Sequence, residues 1–74
     1  MVPDEALINI LRRKLNYTYK SQTQRTRIYK KKGGMHRAII KRNAAHSPEY
    51  ARSILRQAGM NEEEIKLFLA SVNN

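Results

Sequence analysis

Between Glu5 and Glu49 the chain carries twelve Lys or Arg residues (Arg12, Arg13, Lys14, Lys20, Arg25, Arg27, Lys30, Lys31, Lys32, Arg37, Lys41 and Arg42) and no acidic side chain. Like charges at this density repel one another and oppose compaction, so the segment is expected to meet a polyanion that neutralises it. With 74 residues and a formal charge of +9, residues 1–74 are read as one small basic nucleic-acid-binding domain. A single core of that size contributes about 3 to 5 kcal/mol of net stability. Nucleic-acid binders use such charge because each neutralised phosphate releases counterions. A basic protein that binds an acidic protein partner meets the same electrostatic demand.

The chain has no cysteine, which excludes disulfides and thiolate metal sites and permits an intracellular setting. With two histidines as the remaining soft ligands, neither a metal nor a cofactor is expected. Apolar runs extend over a few residues, against the roughly 20 that a membrane span needs. The acidic N-terminus does not resemble a signal peptide, so the expected location is the cytoplasm, without membrane contact.

Pro3, Asp4 and Glu5 open a helix, since Pro fits the first turn and carboxylates favour the positive end of the dipole. Leu7, Ile8, Leu11 and Leu15 continue it at helical spacing, which predicts a helix from about residue 4 to 15. Further on, Ser47-Pro48-Glu49 reads as an N-cap followed by Pro at the first position. Ala51, Ile54, Leu55 and Ala58 form an inward stripe that Gly59 terminates in a left-handed conformation. Asn61 and Glu64 have capping-box spacing, and Ile65, Phe68, Leu69 and Val72 form the next stripe, with fraying expected from Val72 to Asn74.

Between the helices the 3.6-residue rhythm disappears, and β-forming residues gather at Tyr17–Lys20, Thr26–Lys31 and Arg37–Lys41. The Gly33-Gly34 pair predicts a two-residue hairpin turn. That turn places Lys32 opposite Met35, Lys31 opposite His36, Lys30 opposite Arg37, Tyr29 opposite Ala38 and Ile28 opposite Ile39. Alternation leaves the buried face open between Tyr29, Ala38 and Ile40 on one side and Ile28, Met35 and Ile39 on the other. A helix over Met35–Asn43 is the competing reading of the last strand. The expected fold class is α+β: an N-terminal helix, a small three-stranded antiparallel sheet with a basic hairpin, and a C-terminal helical pair.

Candidate phosphate contacts are Lys30, Lys31, Lys32, Arg37 and Arg25, with Arg12, Arg13, Lys20, Arg27, Lys41 and Arg42 widening the footprint. Tyr17, Tyr19 and Tyr29 lie among these cations. Such rings stack unpaired bases, which ranks RNA ahead of DNA, or else pack as ordinary half-buried strand residues. The helical pair around Gly59 loosely matches helix-turn-helix spacing, but Glu62, Glu63 and Glu64 would meet phosphate with like charge. His36, among lysines and Arg37, is the one candidate catalytic residue, as a general base for metal-independent RNA cleavage. A hydrogen-bonding or phosphate-contacting histidine is the alternative, and a non-catalytic protein is the favoured reading. His46 reads as a loop residue and Tyr50 as a lid on the core. Ile10 and Leu67 lie off their helical stripes, where a homodimer contact or simple exposure would account for them.

The order helix, three strands, helix, together with Ser53-Ile54-Leu55-Arg56-Gln57-Ala58-Gly59-Met60, resembles the HicA toxin family. The resemblance implies a double-stranded-RNA-binding-like fold, mRNA cleavage and silencing by a HicB antitoxin. It also implies a catalytic histidine in a Gly-Ser-His element, whose nearest counterpart is Gly34-Met35-His36. Met35 stands in place of the serine, and His36 falls between the second and third strands instead of after the first.

Overall fold

The computed structural model describes residues 1–72. The chain enters through a two-residue strand, β1 (Val2–Pro3), and runs directly into helix α1 (Asp4–Arg13). No side chain caps α1; the Asp4 N–H donates to the Ala44 carbonyl at 2.9 Å. Leu7, Ile8 and Leu11 are buried along one stripe, as their spacing requires. The helix stops two residues short of the expected end. Leu15 remains buried, but it leaves the helix as the chain reverses at Asn16, whose φ of 60° is a left-handed value that Asn tolerates.

Strands β2 (Tyr17–Gln22), β3 (Thr26–Lys31) and β4 (Arg37–Lys41) form an antiparallel sheet in that spatial order. The segment after Met35 is therefore a strand and not a helix. The β3–β4 register pairs Ile28 with Ile39, Tyr29 with Ala38 and Lys30 with Arg37, as the sequence predicts. The tip departs from the expectation. Gly34 N–H donates to Lys31 O at 3.2 Å, and Gly33 has the positive φ, 76°, that the third position of a type II turn requires. Lys32 and Gly33 are thus the central turn residues. Lys31 N–H closes the loop onto His36 O at 3.0 Å, so Met35 is an extra residue with no ladder partner opposite Lys32. Strand β2 extends two residues beyond the predicted segment and shifts register between Tyr19 and Ser21, a β-bulge around Lys20 that bends this edge.

Burial settles the face that alternation left open. Tyr29, Ala38 and Ile40 point into the core with Leu7, Leu11 and Tyr17, whereas Ile28 and Ile39 lie on the opposite, uncovered side. After β4, a short strand β5 (Ala45–His46) pairs with β1, bringing Val2 opposite His46. This pairing makes His46 a buried residue, correcting its reading as part of a loop.

Helix α2 (Pro48–Gln57) begins where expected, with Ser47 Oγ accepting from Tyr50 N–H at 3.1 Å. It ends in a Schellman motif: Met60 N–H reaches Leu55 O at 3.0 Å and Gly59 N–H reaches Arg56 O at 3.1 Å. Gly59 has a φ of 108°, which an L side chain rarely adopts. Asn61 and Glu64 then cap helix α3 (Glu62–Val72) reciprocally, at 3.1 and 2.9 Å. Ala51, Leu55, Ala58, Met60 and Ile65 complete the core. Ile10 packs partly against it, while Leu67 stays exposed. Val72 closes α3; residues 73 and 74, to which the expected fraying extends, lie outside the described residues.

Candidate nucleic-acid interface

The uncovered sheet face is built by the same alternation that fills the core. Residues on β3 and β4 that do not face Tyr29 and Ala38 must face away from them. That places the directly paired Lys30 and Arg37 beside the Ile28–Ile39 pair, with Lys41 farther along β4. Two cations in register repel one another by several tenths of a kcal/mol. No carboxylate among the described residues bridges this pair, since the acidic partners in ion pairs are Asp4, Glu62 and Glu64.

Alternation also divides the cations, and two candidates face inward. Arg27 Nη1 donates to Asp4 Oδ2 at 2.9 Å, and Lys31 Nζ donates to Leu15 O at 2.6 Å while lying 5.4 Å from the Tyr17 ring centroid. Both are therefore engaged with the fold. Lys14 pairs with Glu64 at 3.2 Å. Arg52 and Arg56 both bond Glu62 at the start of α3. Among the described residues, Lys20, Arg25, Lys30, Lys32, Arg37, Lys41 and Arg42 have no carboxylate partner.

Six of these seven fall into two groups, and Lys20 stands apart at the β2 bulge. Lys30, Lys32 and Arg37 surround the hairpin tip. At the other end of the sheet, Arg25, Lys41 and Arg42 line one cleft with Gln24, Thr26 and Asn43. The Arg42 guanidinium is held there by Thr23 O at 3.0 Å, and Arg42 N–H bonds Arg25 O at 2.9 Å. Thr23 Oγ1 accepts from the N–H groups of Arg25 and Thr26 at 3.2 and 3.0 Å, shaping the turn that presents Arg25. Sequence reasoning missed Thr23, although a Thr three residues before a strand residue is a recognisable turn signal. Arg12 and Arg13 line a separate cleft with Asn9, Tyr17 and Thr18.

The tyrosines share one face, since Tyr19 pairs directly with Tyr29 and follows Tyr17 by two residues on β2, and they differ in exposure. Tyr17 is 2% exposed and Tyr29 is buried beside it, so neither ring is open to a base. Burial raises the phenol pKa of Tyr17; it also raises that of Tyr29, against the lowering effect of Arg27 and Arg12. This corrects the reading of both as stacking platforms. Tyr19 alone presents its ring, at 54% exposure, held edge-on against Tyr29 with centroids 5.8 Å apart. Tyr50 is half-buried; its hydroxyl accepts from Lys41 N–H at 3.1 Å, occupying the free edge of β4.

The two histidines occupy different settings. His36 is exposed at the base of the hairpin tip, and its Nδ1 lies 2.7 Å from the Tyr17 hydroxyl. His46 is buried with Nε2 2.8 Å from Asp4 Oδ1, and its ring stacks on Tyr50 at 5.2 Å. Asp4 thus joins His46 and Arg27, residues 42 and 23 positions away. No sequence signal marks that three-residue cluster.

Comparison with known protein families, with curated proteins and with solved structures finds no match to this chain. Among the described residues, no helix is long and apolar enough to cross a membrane.

Proposed function

We propose that this protein binds nucleic acid through phosphate contacts made by its uncovered sheet face and basic hairpin. The observation that carries the reading is the set of seven cations without carboxylate partners around one sheet, with Lys30 held directly opposite Arg37. That arrangement costs stability in the free protein and is relieved when phosphate lies between the charges. Binding is expected to tolerate sequence variation, because phosphate contacts position a protein without reading bases. The ranking of RNA ahead of DNA now rests on Tyr19 alone.

Fluorescence-anisotropy titration with single-stranded RNA, duplex RNA and duplex DNA at two salt concentrations tests this reading. Tight binding that weakens steeply with salt is the expected result. Failure to bind any of the three overturns the proposal and favours an acidic protein partner for the same surface.

One observation favours a second reading, a HicA-like ribonuclease using His36. The buried Tyr17 hydroxyl orients the ring, and the other ring nitrogen has no protein partner among the described residues. An oriented imidazole amid cations suits a general base acting on a 2′-hydroxyl.

A further inference from the structure

We infer that Met35 is a wedge that inserts between adjacent base pairs of a duplex nucleic acid; the inference rests on the nucleic-acid reading above. Met35 is 88% exposed, the most exposed large apolar side chain of the described residues. Single exposed apolar residues are ordinary, but three features set this one apart.

First, the turn extrudes it. The Gly34–Lys31 bond closes the turn just before it and the Lys31–His36 bond closes the loop just after it, so it sits beside the tip without a cross-strand neighbour. Second, both ends of the tip are tied to the fold. On one side Lys31 is anchored to Leu15 O. On the other His36, the residue after Met35, is tied to Tyr17. A pre-organised projection loses little conformational freedom on insertion. Third, cations flank it on both strands, Lys30 and Lys32 on one side and Arg37 on the other. Two phosphate backbones flank a duplex step in the same way.

The side chain also selects the ligand. A thioether has no flat ring on which an unpaired base would stack, but its narrow, polarisable chain fills the gap between partly separated base pairs. Apolar wedges of this kind, methionine among them, unstack a step and kink the duplex. Pyrimidine–purine steps such as TA open most easily, so insertion is expected there.

The test is fluorescence of 2-aminopurine placed at a TA step (UA in RNA) of duplex DNA and duplex RNA, titrated with the wild-type protein and with Met35→Ala and Lys32→Ala. Wild-type protein should raise the emission of at least one duplex severalfold. Met35→Ala should abolish that rise and weaken binding roughly tenfold, within the range of a base-contacting side chain, while leaving the salt dependence of affinity unchanged. Lys32→Ala should instead reduce the salt dependence and keep the emission change at saturation. Salt-dependent duplex binding without an emission change, or with an unchanged response in Met35→Ala, overturns insertion and leaves phosphate binding intact. A response confined to single strands overturns it too. Absence of binding to either duplex and to single strands overturns the underlying reading, and the inference with it.

Discussion

The Tyr17 hydroxyl lies 2.7 Å from Nδ1 of His36, linking the first residue of β2 to the base of the hairpin tip across 19 positions. Tyr17→Phe removes this bond and should cost about 1 kcal/mol in urea unfolding, with nucleic-acid affinity changed little. Burial raises the Tyr17 pKa, so the folded state favours the neutral phenol. Its contribution is complete below the ordinary tyrosine value of about 10 and is lost as pH rises through the folded value. The wild-type protein should accordingly lose more stability on alkaline titration than Tyr17→Phe, as followed by circular dichroism.

RNA incubated with the wild-type protein should remain intact on a denaturing gel. Fragments that disappear with His36→Ala, while binding persists, would establish the ribonuclease reading in place of the non-catalytic one. Fragments that persist with His36→Ala would remove His36 from any such reaction.

Lys30→Ala and Lys32→Ala should each lower the slope of log affinity against log salt by about one. Lys31→Ala should leave that slope unchanged and destabilise the fold by about 1 kcal/mol, since its ammonium serves Leu15 O. Anisotropy titrations across a salt series, paired with urea unfolding, separate the two outcomes. Equal slope changes for neighbouring lysines would contradict the inward placement of Lys31.

Asp4 holds two partners at once, Arg27 and His46. Asp4→Ala should destabilise the protein by about 1 to 3 kcal/mol, because it leaves a buried imidazole and a half-buried guanidinium without their acceptor. Thermal and urea unfolding would measure the loss, and a change near zero would mean that water replaces the carboxylate at no cost.

The Glu64 carboxyl is held below its usual range by the Asn61 N–H first and then by Lys14. A depressed folded value gives stability that is present above the unfolded pKa and disappears as pH falls through the folded one. Glu64→Gln should therefore be less stable than wild type at neutral pH and indistinguishable from it in acid. A difference that survives in acid would assign the effect to packing.

Local signals were legible in the sequence wherever the deciding groups lie a few residues apart. Ser47 caps α2, Gly59 ends it, and Asn61 with Glu64 restarts the chain as α3; each involves backbone donors or acceptors within one turn. The Gly-Gly signal located the β3–β4 hairpin and its register, though not the turn that leaves Met35 outside the ladder. That detail depends on which glycine takes the positive φ, and a glycine pair permits either.

The sequence by itself determined the α+β order, the limits of α2 and the start of α3, the β3–β4 pairing and the concentration of cations in the sheet region. The tertiary structure alone decided which sheet face is buried, and with it the fate of Tyr17, Tyr29, Arg27 and Lys31. Strand alternation assigns residues to two faces without naming the inner one. That choice depends on the combined packing of α1 and α2 against a sheet whose two faces are both apolar in part. The Asp4–Arg27–His46 cluster was illegible for a related reason. Its members meet only after the β1–β5 pairing and the α1–sheet packing have formed, and a hydrogen bond across 42 positions leaves no periodicity in the chain.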